Sequence, residues 1–135
     1  MTNNSKKLYD LGQSIWYDNI QRKLLKNGEL AAMIAAGKIY GVTSNPSIFN
    51  NAISKSDDYD DDLGTLAKAG KSAEEIYEAL AIADIQAAAD LFRPIYDSTD
   101  GGDGYVSLEV NPDLAHDTKA TASEAKRLWQ AVDRP

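Results

Sequence analysis

Apolar positions recur along the chain with two different periods, and the alternation between those periods predicts an α/β protein. In residues 14–18, Ser14, Trp16 and Asp18 fall on one face of a strand, with Ile15 and Tyr17 on the other. Residues 39–43 are short, partly β-branched and bounded by turn formers, and read as a second strand. Residues 105–110 alternate most clearly. Val106, Leu108 and Val110 face one way, and Tyr105, Ser107, Glu109 and Asn111 the other.

Helical spacing fills the intervals. Leu8 and Leu11 suit a first helical turn ended by Gly12, and Leu30 and Ile34 suit a short helix between the Asn27-Gly28 turn and Gly37. After Asn45, an N-cap, and Pro46, at the first helical position, a short helix is expected to about Ile53. Ser72-Ala73-Glu74-Glu75 is a capping box and opens the longest helix. Its expected buried stripe is Ile76, Leu80, Ala83, Ala87 and Leu91, and Pro94 is expected to end or kink it near Arg93. Asp117 caps a last helix with an apolar stripe of Ala122, Ala125, Leu128, Trp129 and Val132.

Strand–helix–strand order with short connections implies parallel strands covered by helices. An open sheet with helices on both faces would be apolar on both faces of each strand. Here each strand keeps polar or small residues toward the C-terminal end of one face: Ser14 and Asp18; Gly41, Thr43 and Asn45; Ser107, Glu109 and Asn111. That pattern favours part of a TIM-type (β/α)8 barrel, incomplete with three strands, over a rearranged or swapped open α/β sheet. Asp18 and Glu109 would then be two carboxylates converging on one pocket, with Thr43 and Asn45 as neutral hydrogen-bonders between them. Partial burial and mutual repulsion would raise the pKa of at least one of the pair. Glu109, between Leu108 and Val110, is expected to be poorly placed for water.

Composition narrows the chemistry. At 135 residues, residues 1–135 read as a single domain. Hydrophobic residues at 43% and charged residues at 26% are ordinary for a globular chain and argue against disorder. The net charge of −7 disfavours nucleic acid or an anionic membrane as partner. Without cysteine there is no disulfide, thiolate metal site or cysteine nucleophile. No apolar run approaches the ~20 residues of a membrane span, and residues 1–10 are too polar for a signal peptide, so a cytoplasmic location is expected. The acids of residues 57–62 lack the spacing of a calcium loop and suit a helix N-terminus. Residues 97–104 read as a flexible loop whose acids and glycines match no defensible metal site. His116, the only histidine, is expected at the surface.

Ser14-Ile15-Trp16-Tyr17-Asp18-Asn19, Gly41-Val42-Thr43-Ser44-Asn45-Pro46-Ser47 and Ser107-Leu108-Glu109-Val110-Asn111-Pro112 together resemble the first three strands of a transaldolase, closest to the longer bacterial type. The resemblance covers nearly the whole chain, and its most specific part is Thr43-Ser44-Asn45-Pro46-Ser47-Ile48-Phe49. It implies an α/β barrel of the pentose phosphate pathway. Such enzymes move a dihydroxyacetone unit from a ketose phosphate to an aldose phosphate through a lysine Schiff base, without metal or cofactor. On that resemblance Asp18 is the acid/base for the sugar hydroxyl, and Glu109 activates water. Thr43 and Asn45, with Ser44 and Asn111 beside them, bind substrate.

The resemblance also implies a gap. The family's lysine sits on a fourth strand, and none of the chain's lysines, Lys6, Lys7, Lys23, Lys26, Lys38, Lys55, Lys68, Lys71, Lys119 and Lys126, matches it. A whole barrel takes roughly 250 residues, so the 135 residues amount to about half of one. The expectations are a chain inactive alone and a homo-oligomer formed through exposed strand edges. The alternative is a non-catalytic sugar-phosphate-binding or oligomerisation module. A nucleotide-binding domain ranks last, since no glycine-rich fingerprint follows any strand.

Overall fold

The computed structural model describes residues 4–135. Helix α1 (Asn4–Asp10) leads into strand β1 (Trp16–Asp18), which pairs in parallel with β2 (Gly41–Thr43). The register sets Trp16 beside Gly41, Tyr17 beside Val42 and Asp18 beside Thr43. Both strands are shorter than the sequence pattern suggested. The crossover between them is made by α2 (Arg22–Lys26), which the spacing of apolar residues did not announce, and α3 (Glu29–Ala35).

The third expected strand is reduced to a single parallel bridge between Val42 and Val106. The Val42 N–H donates to the Tyr105 carbonyl (3.1 Å), and the Ser107 N–H donates to the Val42 carbonyl (3.0 Å). The ladder stops there because Ser44 takes the next positions. Its N–H donates to Ser107 Oγ (3.0 Å), and its hydroxyl donates to the Ser107 carbonyl (2.6 Å). A side-chain clip thus stands where a longer strand was expected.

Helices α4 (Pro46–Ser54), α5 (Asp60–Lys68) and α6 (Ala73–Ser98) follow β2. The α4 start is as the sequence indicated, with Asn45 Oδ1 accepting from the Ile48 N–H (2.9 Å). At α6 both bonds of the capping box form, Glu75 N–H to Ser72 Oγ (3.2 Å) and Ser72 N–H to Glu75 Oε2 (2.8 Å). Pro94 neither ends nor visibly divides α6, which runs four residues past it. Proline in a helix interior costs about 3 kcal/mol. Here Ile95 packs on the core and Tyr96 lies against Gly104, so tertiary contacts hold the last turn.

The buried stripe of α6 is also rotated from the expected one. It comprises Leu80, Ala81, Asp84, Ile85, Ala88 and Phe92, whereas Ala83 is exposed. Of these, Leu80 packs in a smaller cluster with Ala52 and Tyr59, while Ala81, Ile85, Ala88 and Phe92 join Ile20, Leu30, Ile39, Val42 and Phe49 in one apolar cluster on the helix-facing side of the sheet. At about 1.5–3 kcal/mol for each large side chain buried, this cluster is the main stabilising feature.

Beside it lies a buried polar centre. Arg22, Tyr59 and Asp84 are 4%, 1% and 2% exposed. Arg22 Nε donates to Asp84 Oδ1 (3.0 Å), the Tyr59 hydroxyl donates to Asp84 Oδ2 (2.7 Å), and the Arg22 N–H donates to the Tyr59 oxygen (3.0 Å). Arg22 Nη1 reaches Asp62 Oδ2 at 2.6 Å, and the guanidinium lies 4.3 Å from the Tyr59 ring centroid. Burial pushes the Asp84 carboxyl up, against the pull of Tyr59 and Arg22. Burial pulls Arg22 down, but Asp84 and then Asp62 more than offset it, leaving the group above its ordinary value. The network ties α2, the start of α5 and the middle of α6 together, and part of the acidic run at residues 57–62 is spent on it.

A turn at residues 99–104 leads from α6 to the bridge. Asp103 is buried; its N–H donates to Thr99 Oγ1, and its carboxylate accepts from the Gly104 N–H, each at 3.0 Å. Gly104 has φ +86°, and a Cβ there would lie 2.6 Å from the Tyr96 nitrogen, so only glycine fits. Among the described residues no group of three or more candidate ligands could hold a metal ion.

After a 3₁₀ turn (Pro112–Leu114), α7 (Thr118–Val132) is capped by Asp117, whose Oδ1 accepts from the Ala120 N–H (2.9 Å). It packs on α6 through Leu128 and Val132, with Arg127 paired to Glu78 and Arg134 to Asp90. Ala122, Ala125 and Trp129 of the expected stripe are exposed, Trp129 at 65%. No helix among the described residues is long and apolar enough to cross a membrane.

Candidate active site

Because β1 and β2 run in parallel and in register, their C-terminal ends bring Asp18 and Thr43 side by side. The Thr43 hydroxyl donates to Asp18 Oδ1 at 2.7 Å. Asp18 is exposed, so one oxygen is oriented by Thr43 while the group stays open to a ligand. A hydroxyl-oriented carboxylate at the C-terminal edge of parallel strands can accept or return a proton on a bound alcohol.

The other predicted site residues are placed differently. Ser44 is buried, and its N–H and hydroxyl are both committed to Ser107. Asn45 and Asn111 each spend their side-chain oxygen on a cap, at Ile48 and Asp113 respectively (2.9 Å each), and keep their NH₂ donors. Glu109 is exposed, contrary to the expectation from its apolar neighbours. The chain beyond the Ser44–Ser107 clip leaves the ladder, so the carboxylate is not enclosed by strand neighbours. Glu109 and Asn111 line a cavity of about 520 Å³ with Pro46, Tyr77 and Leu108; Asp18 and Thr43 do not. Burial, and then the Glu109 charge, raise the Tyr77 phenol, which therefore remains a proton donor beside that cavity. His116 is exposed.

Beneath the Asp18–Thr43 pair lies an aromatic layer that sequence reasoning passed over. The Trp16 indole lies over Gly41, where an added Cβ would come within 2.5 Å of the ring. Trp16 Nε1–H donates to Ser14 Oγ (3.0 Å), and the ring faces Tyr105 at a centroid distance of 6.4 Å. A glycine inside the expected strand 39–43, in a chain whose neighbouring strand carries Trp16, was the available signal. Neither the Glu109 cavity nor a second groove of about 360 Å³, between α6, α7 and residues 104–110, is lined by a lysine.

Parallel strands joined through helices, with polar side chains gathered at their C-terminal ends, define an α/β protein of the class that keeps its ligands at that edge. The family described as Transaldolase/Fructose-6-phosphate aldolase matches residues 15–135. The chain belongs to that family, and membership implies a TIM-type barrel architecture. It is 53% identical to a transaldolase of Thiobacillus denitrificans over 133 residues, 98% of this chain and 37% of the relative. Identity is 50% over 135 residues to Transaldolase 2 of Streptomyces coelicolor, all of this chain and 36% of the relative. A transaldolase of Trichodesmium erythraeum is 48% identical over 134 residues, 99% of this chain and 35% of the relative. The chain therefore spans little more than a third of the length of these relatives.

Proposed function

We propose that the chain carries the acid/base part of a transaldolase site, acting on a ketose phosphate, and lacks the Schiff-base lysine. The observation that carries this reading is the 2.7 Å hydrogen bond from Thr43 to Asp18 at the C-terminal ends of paired parallel strands. In this role Asp18 exchanges the proton of the sugar hydroxyl during carbon–carbon cleavage. Thr43 fixes the carboxylate, and the free amide donors of Asn45 and Asn111 bind hydroxyls. Glu109, with Tyr77 beside it, activates a water that relays protons as the imine forms, with loss of the carbonyl oxygen as water, and that attacks the imine carbon in hydrolysis. Ser44 supports the site by holding residue 107 rather than by touching substrate.

The test is intact-mass measurement after incubation with fructose 6-phosphate and borohydride, which fixes any imine as a stable adduct. No adduct is expected on the chain alone. A stoichiometric adduct would identify an activated lysine among the ten and overturn the assignment of an incomplete site.

A second element of the proposal concerns association between copies. Tyr105 and Ser107 direct their backbone groups at β2, so Val106 and Leu108 turn theirs to the outer edge. That edge adjoins the groove containing Val110, Leu128, Trp129 and Val132. An open edge beside an apolar groove favours pairing with a second copy. Light scattering at tens of micromolar is expected to give a mass above that of one chain; a clean monomer would overturn this.

A further inference from the structure

We propose that Trp16 is the floor of the sugar site, a specificity-determining residue whose indole face receives a C–H edge of the open-chain sugar phosphate. This rests on the site proposed above and adds the residue that bounds it from below. Trp16 and Asp18 are two positions apart on one strand and share a face, so their backbones are about 6.6 Å apart along the strand, with Trp16 on the side away from the C-terminal edge.

Three contacts lock the ring at that level. Gly41 gives it a flat seat, since any Cβ would approach to 2.5 Å. Ser14 accepts its N–H at 3.0 Å, which fixes the rotation of the indole. Tyr105 flanks it at 6.4 Å and 21°, and is itself braced edge-on against Tyr96 at 5.6 Å and 88°. The layer therefore crosses all three chain segments of the sheet.

Its N–H is already satisfied, so the indole has only its apolar faces to offer. An aromatic face carries negative quadrupolar charge and attracts the weakly positive C–H edge of a polyol. Asp18 and Thr43 above supply polar partners to hydroxyls. A ligand with hydroxyls on one side and C–H bonds on the other is matched by this pair of layers. A ligand that places a charged phosphate against the indole face is disfavoured, because that face carries no donor to replace the water the phosphate loses.

The experiment uses the whole chain carrying Trp129→Phe, which leaves Trp16 as its single tryptophan. Fructose 6-phosphate is titrated while indole emission is read, and saturation-transfer NMR on the sugar protons reports binding independently. The expected result is a saturable change in Trp16 emission that tracks the NMR signal, with inorganic phosphate leaving emission unchanged. Trp16→Ala is expected to weaken sugar binding roughly threefold to tenfold, while Trp16→Phe retains it. Sugar binding with flat emission and an unaltered affinity in Trp16→Ala would overturn the floor and leave the site reading intact. Absence of any sugar signal would overturn both. The emission readout requires no change at Trp16, so a poorly folding Trp16→Ala would not blunt the test.

Discussion

Two aspartates in this molecule accept a hydroxyl hydrogen bond of the same length. Tyr59 donates to Asp84 at 2.7 Å, and Thr43 donates to Asp18 at 2.7 Å. Asp84 sits in the helix layer, 2% exposed, with its other oxygen on Arg22. Asp18 sits at the open end of the sheet and is exposed. The hydrogen bond itself does not distinguish a structural carboxylate from a reactive one. What surrounds it does: around Asp84 each polar group has a fixed protein partner, whereas Asp18 is held on one side and left to solvent on the other. Among the described residues no buried side-chain nitrogen or oxygen is without a partner.

The largest loss of stability is expected when Asp84 is removed. Asp84→Ala leaves the buried Arg22 guanidinium without its main partner and the Tyr59 hydroxyl without an acceptor. Breaking a buried pair from one side costs about 3–5 kcal/mol. For a chain of this length that lowers Tm by roughly 10–20 °C, read by thermal or denaturant unfolding. A loss below about 1 kcal/mol would mean that water or Asp62 takes over, and that the network is not what joins α2 to α6.

Much of this architecture was legible in the sequence, and the misses have physical causes. The caps at Asn45, Ser72 and Asp117 are local, each decided within about three residues, and all three form. The polar faces of β1 and β2 follow from a period of two and are equally local. The buried network is not local: Arg22 meets Asp84 across 62 positions and Asp62 across 40. Its trace was Asp84 standing among alanines and isoleucine in α6, where a lone acid on an apolar stripe implies a distant cation. The exposure of Glu109 was misread because alternation alone assumes a continuing strand, and Ser44 ends the ladder at Ser107. The placement of Glu109 in a cavity that Asp18 does not line follows from packing between elements far apart in sequence, which periodicity does not encode.

At the open end of the sheet, Gly41→Ala tests how rigidly the Trp16 ring is held. The new methyl would meet the Trp16 ring at 2.5 Å, and the ring is boxed in by Ser14 and Tyr105. Overpacking of this kind costs about 1–3 kcal/mol. Near-UV circular dichroism is expected to change along with stability, because the indole must leave its seat. An unchanged tryptophan signal would show that the ring moves freely, unlike anything in the Asp84 network. A third expectation is one of direction. Burial raises the Asp84 carboxyl above its unfolded value of about 3.9. The folded state then holds more protons than the unfolded state between the two values. Stability from this group is present at low pH and declines as pH rises through the folded value. Asp84→Asn lacks that contribution, so the stability gap between the native chain and the variant should narrow from pH 4 toward pH 7. A widening gap in denaturant titrations would reverse the sign and place the gain of the Arg22 pair above the cost of burial.

The smallest expected effect is the most telling. Asp18 is exposed and its hydrogen-bond partner among the described residues is a hydroxyl that water can replace, so Asp18→Asn should leave unfolding free energy within about 0.5 kcal/mol. The amide keeps the volume and can still accept from Thr43. Chemical denaturation of the two chains side by side measures this directly. A loss of more than about 1 kcal/mol would make Asp18 a second Asp84, a carboxylate retained to hold strands together. A near-zero cost would mean that nothing in folding requires an acid at this position. The same residue type with the same 2.7 Å partner would then serve stability in one place and remain available for proton transfer in the other.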